Sequence, residues 1–274
     1  MALVSPYISY IGKEFDTDRI KEYGLTIQIS LGGFSFVLYD ASLRQIVALQ
    51  AYNNINSTVY AVSALKEFCS DNEIDMASLK DFLCVVDDSN YAIVPSPLFE
   101  PEHERTYLDF CSENSGGIVM SEHVGEADCN VVFGIDEELS ESLRSMLVQP
   151  VMRHSAAVLM ERILPKNQGL KMYVNVRQKD FDIMVAQDDK LKFYNSFGFD
   201  STSDFVYYAV TVMRQFGSTD ELELILAGLV VQKSEVFSLL QRYVRNVNFA
   251  KAHTSLPDEL DVPGHCLYVP LSLI

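Results

Sequence analysis

Hydrophobic and polar positions alternate with a period of two over residues 25–40. Ile27, Ile29 and Leu31 are interleaved with Gln28 and Ser30, the pattern of a half-buried strand. Gly32-Gly33 then predicts a two-residue hairpin turn, and Phe34, Phe36 and Leu38 continue the alternation on the return strand. Asp40-Ala41-Ser42 predicts a second turn, into a third strand over 46–52. The period next changes to helical. Ala61, Leu65 and Phe68 share one face behind Ser57, a predicted N-cap. The apolar run 82–86 predicts a strand, residues 87–90 a turn and 91–95 a return. A helix is expected over 100–112 and a polar loop over 113–128. A buried strand is expected over 130–135, then a helix capped by Asp136 with Leu139, Leu143 and Met146 inward. Pro150 breaks that helix, a further one runs to Leu164, and Pro165 stops it.

Residues 165–169 form the best linker candidate, and the pattern then begins again. Three strands are predicted over 170–176, 181–187 and 190–196. A helix opened by Ser203 carries Phe205, Tyr208, Val212 and Phe216 on one face and closes at Gly217. The continuous apolar run 222–228 predicts a strand covered on both faces. Ser234 opens another helix, with Val236, Leu240 and Tyr243, and 246–250 is a short last strand. Residues 253–263 read as a polar loop, 266–274 as a strand-like run, and 1–23 as polar and broken. Each half therefore reads strand, strand, strand, helix, strand, helix, strand. An internal repeat of this kind decides architecture before local detail does. Hairpin-linked strands are antiparallel, and strands alternating with helices are parallel by crossover. The expected fold is α/β, with a mixed sheet and helices on both faces, twice. The expected boundaries are 1–165 and 166–274.

Composition changes the picture in one respect. A chain of 274 residues with 48% hydrophobic content is ordinary for a globular protein, but 38 acidic against 21 basic residues leave a net charge of −17. That field repels nucleic-acid phosphate and anionic lipid, so no nucleic-acid partner is expected. Cys69, Cys84, Cys111, Cys129 and Cys266 are scattered and include no CxxC, which fits reduced core thiols better than disulfides or a zinc site. The N-terminal stretch shows no basic segment followed by an apolar run, and no stretch approaches the ~20 apolar residues of a membrane helix. No membrane insertion and a cytoplasmic location are the expectations.

A duplicated three-strand meander followed by alternating helix and strand resembles the actin-like ATPase fold, a pair of ribonuclease-H-like domains. Length and element order also resemble an uncharacterised bacterial family of that fold class. The resemblance implies a cleft between the halves that binds ATP and a divalent metal. It also implies a first-strand motif of an apolar run, Asp, any residue and Gly. Ile27, Ile29 and Gly32 match that motif, but the Asp place holds Ser30. In the second half the Asp place holds Asn175 and the glycine place Arg177. The implied paired glycines against the adenosine are Gly228 followed by Leu229. Magnesium prefers anionic oxygen, which Ser30 and Asn175 do not supply. Arg177 stands where bare backbone would approach phosphate. The candidate cleft residues are Ser30, Gly32, Gly33, Asn175, Arg177, Lys179 and Gly228. No cofactor is expected, with ATP and Mg²⁺ the alternative.

Other chemistry is sparse. The turn Arg177-Gln178-Lys179 is basic in an acidic chain and suits a phosphate or an acidic partner, or plain solvation. Glu100, Glu102, His103 and Glu104 suit a helix start without any metal. Asp87-Asp88 and Asp188-Asp189 fall at turns, and His265-Cys266 is too lone a pair for nucleophilic catalysis. No phosphate-loop, nucleophile-elbow, HExxH or dinucleotide glycine motif occurs. Three functions follow. The first is a non-catalytic actin-like interaction or scaffold protein with a degenerate nucleotide site and an unidentified protein partner. The second is an ATPase or phosphotransferase using other carboxylates such as Asp40 or Asp200. The third is a ribonuclease-H-like nuclease, against which Ser30 and the −17 charge both argue.

Overall fold

The computed structural model describes residues 5–30, 32–55, 58–112, 116–146, 150–217 and 222–274. Leu31 and the proposed cap Ser57 lie outside the described residues. In chain order the elements of the first half are β1 (Ile8–Ile11), β2 (Tyr23–Ser30), β3 (Gly32–Asp40), β4 (Gln45–Ile55), α1 (Thr58–Asp71), β5 (Asp81–Asp87) and β6 (Tyr91–Pro95). Then come α2 (Glu104–Cys111), β7 (Ile118–Val124), β8 (Cys129–Ile135), α3 (Glu137–Met146), β9 (Val151–His154) and α4 (Ser155–Ile163). The second half holds β10 (Leu170–Val176), β11 (Asp180–Gln187), β12 (Lys190–Gly198), α5 (Thr202–Phe216), β13 (Glu223–Gly228), α6 (Glu235–Leu240), β14 (Val247–Phe249) and α7 (Tyr268–Leu271).

The repeat in the sequence is a repeat in topology. The first sheet runs β1-β4-β3-β2-β5-β9 and the second β12-β11-β10-β13-β14, so the same five-strand order occurs twice. In both, the meander is antiparallel and the later strands join in parallel. α1 covers one face of the first sheet, where Phe68 meets Phe36 at 4.8 Å between ring centroids. The opposite face, carrying Val37 and Leu49, is covered by Leu267 and Leu271. In the second sheet Phe205 of α5 packs against Phe181, with tilted rings 4.3 Å apart. The other face of that sheet, with Met184 and Ala227, joins the same apolar core as Leu159 and Ile163 of α4. The two sheets thus share a buried layer.

Five expectations are corrected. The turn between β2 and β3 is centred one residue earlier than Gly32-Gly33: Ser30 already faces Gly33 in the ladder, and Gly32 takes the left-handed φ of 94°. Residues 118–124 form a strand, not a loop. Their polar side chains Ser121, Glu122 and His123 hide it from a hydrophobicity pattern, yet each pairs with apolar β8. Strand 130–135 belongs to a separate antiparallel sheet, β6-β8-β7, inserted between β5 and β9; the four-residue β9 takes the expected place in the main sheet. The strand-like 266–274 is helical. Leu267, Tyr268, Val269 and Leu271 are all buried, and a short run apolar all round cannot be told from a strand by period alone. Ser201 caps α5 in place of Ser203, with Asp204 completing a capping box.

Candidate functional site

The parallel strands β2, β5, β10 and β13 bring their carboxyl ends together. Ser30 faces Asp87 across β2 and β5, and Val176 faces Gly228 across β10 and β13. Ligands in open α/β sheets bind at this end. Gly228 has φ 80°, and the Leu229 amide donates to the Val176 carbonyl at 2.8 Å. A side chain on Gly228 would run into that carbonyl.

Arg177 leaves the β10–β11 turn and points inward, 4% exposed, instead of into solvent. Its guanidinium donates from Nε to Asp180 Oδ1 at 2.7 Å and from Nη1 to Asp87 Oδ1 at 2.8 Å. Asp182 receives the fork: Nη1 to Oδ2 at 2.5 Å and Nη2 to Oδ1 at 2.8 Å. Asp87 is on the first sheet and the other two are on the second, so one cation ties the halves together. Donors complete the shell. Gln28 Nε2 reaches Asp87 Oδ2 at 2.5 Å and Asn175 Nδ2 reaches Asp87 Oδ1 at 3.5 Å. Ser196 Oγ and Tyr194 OH donate to Asp182, and Tyr91 OH lies 3.0 Å from Ser196 Oγ. Burial works against the charge on Arg177, but Asp182 and Asp87 outweigh it and hold the guanidinium pKa well above its ordinary value. Burial also raises the Asp180 carboxyl, against the pull of Arg177.

Two spaces adjoin this cluster. A cleft of about 1030 Å³ is lined by Ser30, Gly32 and Gly33 from the first half, by Asp88, Asn90 and Tyr91 beyond β5, and by Tyr194–Ser196 of β12. Asn175, Arg177 and Gly228 do not line it. They line a gap of about 60 Å³, shared with Ser30, Gly32 and Gly33 and closed by Leu267, Tyr268 and Val269. That gap has room for a few waters. Lys179 is exposed and lines neither. Leu229, at the place the resemblance gives to the second glycine, is 47% exposed; beside it, His265 Nε2 meets the Val230 carbonyl at 2.7 Å, and its ring stacks on Phe249 at 4.2 Å.

The ligand set for a nucleotide with magnesium does not fit these residues. Ser30 Oγ donates to the Gly33 carbonyl at 3.1 Å, and Asp87 already accepts from Arg177, Asn175 and Gln28. A guanidinium fills the space between the strand ends. Among the described residues no group of three or more His, Cys, Asp and Glu is arranged to hold a metal ion. The other carboxylates lie elsewhere. Asp40 sits at the far end of β3, opposite Tyr23, and accepts from Arg19, Ser42 and Leu43. Asp200 is exposed, outside the cleft. His103 pairs with Glu100 on the surface, and burial pushes the Cys266 thiol up to about 11.

The pattern overlooked Asp87, Asp180, Asp182 and Gln28. A signal for two of them was present: Asp180 and Asp182 flank Phe181 in an apolar strand, beside the basic Arg177. A charge inside a buried run demands a partner.

The sequence profile described as protein of unknown function DUF3822 matches residues 12–247. The chain belongs to that family. Among solved structures, this DUF3822 chain is similar to a Bacteroides thetaiotaomicron protein described as having an actin-like ATPase fold and unknown function. The TM-score is 0.74 and the identity 22%, over 88% of this chain and 95% of that one. It is also similar to a chain of the PilM–PilN type IV pilus biogenesis complex, with TM-score 0.55 and 11% identity over 91% and 96%. A third neighbour is the ethanolamine utilization protein EutJ of Carboxydothermus hydrogenoformans, with TM-score 0.50 and 12% identity over 91% and 88%. No curated protein matches the DUF3822 chain by sequence. Its fold is the actin-like ATPase fold. Among the described residues, no helix is long and apolar enough to cross a membrane.

Proposed function

We propose that this protein is a non-catalytic member of the actin-like fold that works by holding a protein partner. The observation that carries the reading is the Arg177 cluster. A guanidinium bound to Asp87, Asp180 and Asp182 takes up the strand-end space that magnesium and phosphate need. Displacing it would strand three buried carboxylates, at a cost of several kcal/mol per uncompensated charge, on the order of the whole affinity of a micromolar ligand. The neighbour in the PilM–PilN complex, a fold-mate held in an assembly, supports the reading by analogy alone.

Titration calorimetry and thermal unfolding with millimolar ATP and MgCl₂ test it. A ligand at a hundred times its Kd adds about 2.7 kcal/mol of stability, which a melting curve resolves easily. The expected result is no saturable heat and no rise in Tm. Saturable binding that Asp87→Asn abolishes would overturn the proposal and restore the phosphotransferase alternative.

A further inference from the structure

We propose that the large cleft receives an extended basic segment of a partner protein, which adds as a strand along the free edges of β6 and β12. This rests on the reading that the protein holds a partner, and it names that partner's chemistry. The first observation is the pair of edges. Among the described residues β6 pairs only with β8, and β12 only with β11, so each is the outermost strand of its sheet. Residues of both line the cleft, Tyr91 to Ile93 of β6 and Tyr194 to Ser196 of β12. At the floor the Tyr91 and Ser196 hydroxyls join the two walls. An outermost strand offers a row of N–H and C=O groups to an added one.

The second observation is charge. Asp88 and Asp136 line the cleft, as does Asp180, which is already paired to Arg177, and among the described residues no Lys, Arg or His lines it. Asn90 adds a buried side-chain oxygen that has no donor. Such a wall repels phosphate and attracts ammonium or guanidinium groups. Ile29, Phe34, Ile93 and Leu139 also line the cleft. An extended chain presents alternate residues to opposite sides. The complementary segment therefore alternates Lys or Arg with apolar residues.

The probe is a random linear decapeptide display library panned against the full chain, with the double variant Asp88→Asn/Asp136→Asn as counter-selection. Both substitutions keep a side-chain acceptor for the amides that Asp88 and Asp136 hold, of Asn90 and Leu139 respectively. The fold is therefore kept while charge is lost. The expected winners alternate basic and apolar residues. They bind at least tenfold more weakly to the double variant, and at least tenfold more weakly after N-methylation of alternate amides. They also slow amide exchange in residues 91–94 and 191–197. Failure to enrich basic sequences, binding indifferent to N-methylation, or exchange protection elsewhere would each overturn the inference. The calorimetric test is separate. Nucleotide binding would overturn the non-catalytic reading whatever the library yields, and a failed library leaves that reading intact.

Discussion

Arg177 leaves a turn whose other basic residue, Lys179, faces solvent, and enters the interior. The difference is decided by partners, since an unpaired guanidinium would not leave water. Arg177→Met should cost about 3–5 kcal/mol, because it leaves Asp87, Asp180 and Asp182 uncompensated. Urea unfolding measures it. Adding Asp182→Asn should restore part of the loss, a non-additivity expected of groups in contact. The variant should also gain stability in acid. Asp180 is already raised by burial and loses the opposing pull of Arg177, so the folded state becomes the stronger proton binder and the urea midpoint should be higher at pH 5 than at pH 7. Asp40 behaves oppositely. The Ser42 hydroxyl first, then backbone amides and Arg19, hold its carboxyl down at about 2. Its stabilising effect is full above the unfolded value of about 3.9 and fades as pH falls toward 2, so Asp40→Asn should flatten the acid limb of a pH–stability curve. Residue types alone marked Arg177 as out of place beside the expected motif. They did not show that its counter-ions are Asp87, ninety positions away in the chain, and Asp182 on the neighbouring strand, because that pairing exists only once both sheets stand side by side.

The elements with strong periodicity were legible and those without were not. β10, β11 and β12 lie where alternation put them, and the Asp136 cap on α3 is real, its Oδ1 accepting the Leu139 amide at 2.8 Å. Asp136→Ala should destabilise by about 1 kcal/mol, the usual worth of an N-cap, read as a shift of the urea midpoint. β7 and β9 escaped notice because one is polar and the other four residues long. Gly228 sets a harder constraint at the junction of β13 with β10. Gly228→Ala forces a Cβ onto the Val176 carbonyl at a left-handed φ and should cost about 1–3 kcal/mol, with loss of amide protection concentrated in β13 and β14.

At the scale of the molecule, the first sheet is completed by both distant ends of the described chain. β1 forms its outer edge, and residues 264–271 cover the face bearing Val37 and Leu49. The strands of the second sheet all come from 170–249, but His265 also meets the Val230 carbonyl and stacks on Phe249 at its β13–β14 end. Removing 264–274 should therefore uncover the face of the first sheet and loosen the β13–β14 end of the second. Hydrogen exchange should show protection lost in β3 and β4 while β10 and β11 retain theirs. The −17 charge and the repeat in element order were readable at this scale, whereas the return of the last residues to the first sheet was not, since an apolar run does not say which surface it will cover.

That return has a consequence for biosynthesis. The first sheet cannot be finished until residues 264–271 have left the ribosome. An N-terminal unit usually matures early in synthesis, and this one waits for a distant downstream segment. Until that segment emerges, Val37, Ile46 and Leu49 stand uncovered. Nascent chains stalled before position 264 should be bound by chaperones and cut by protease in the first half. Chains extended beyond 274 by a tether long enough to clear the exit tunnel should resist both.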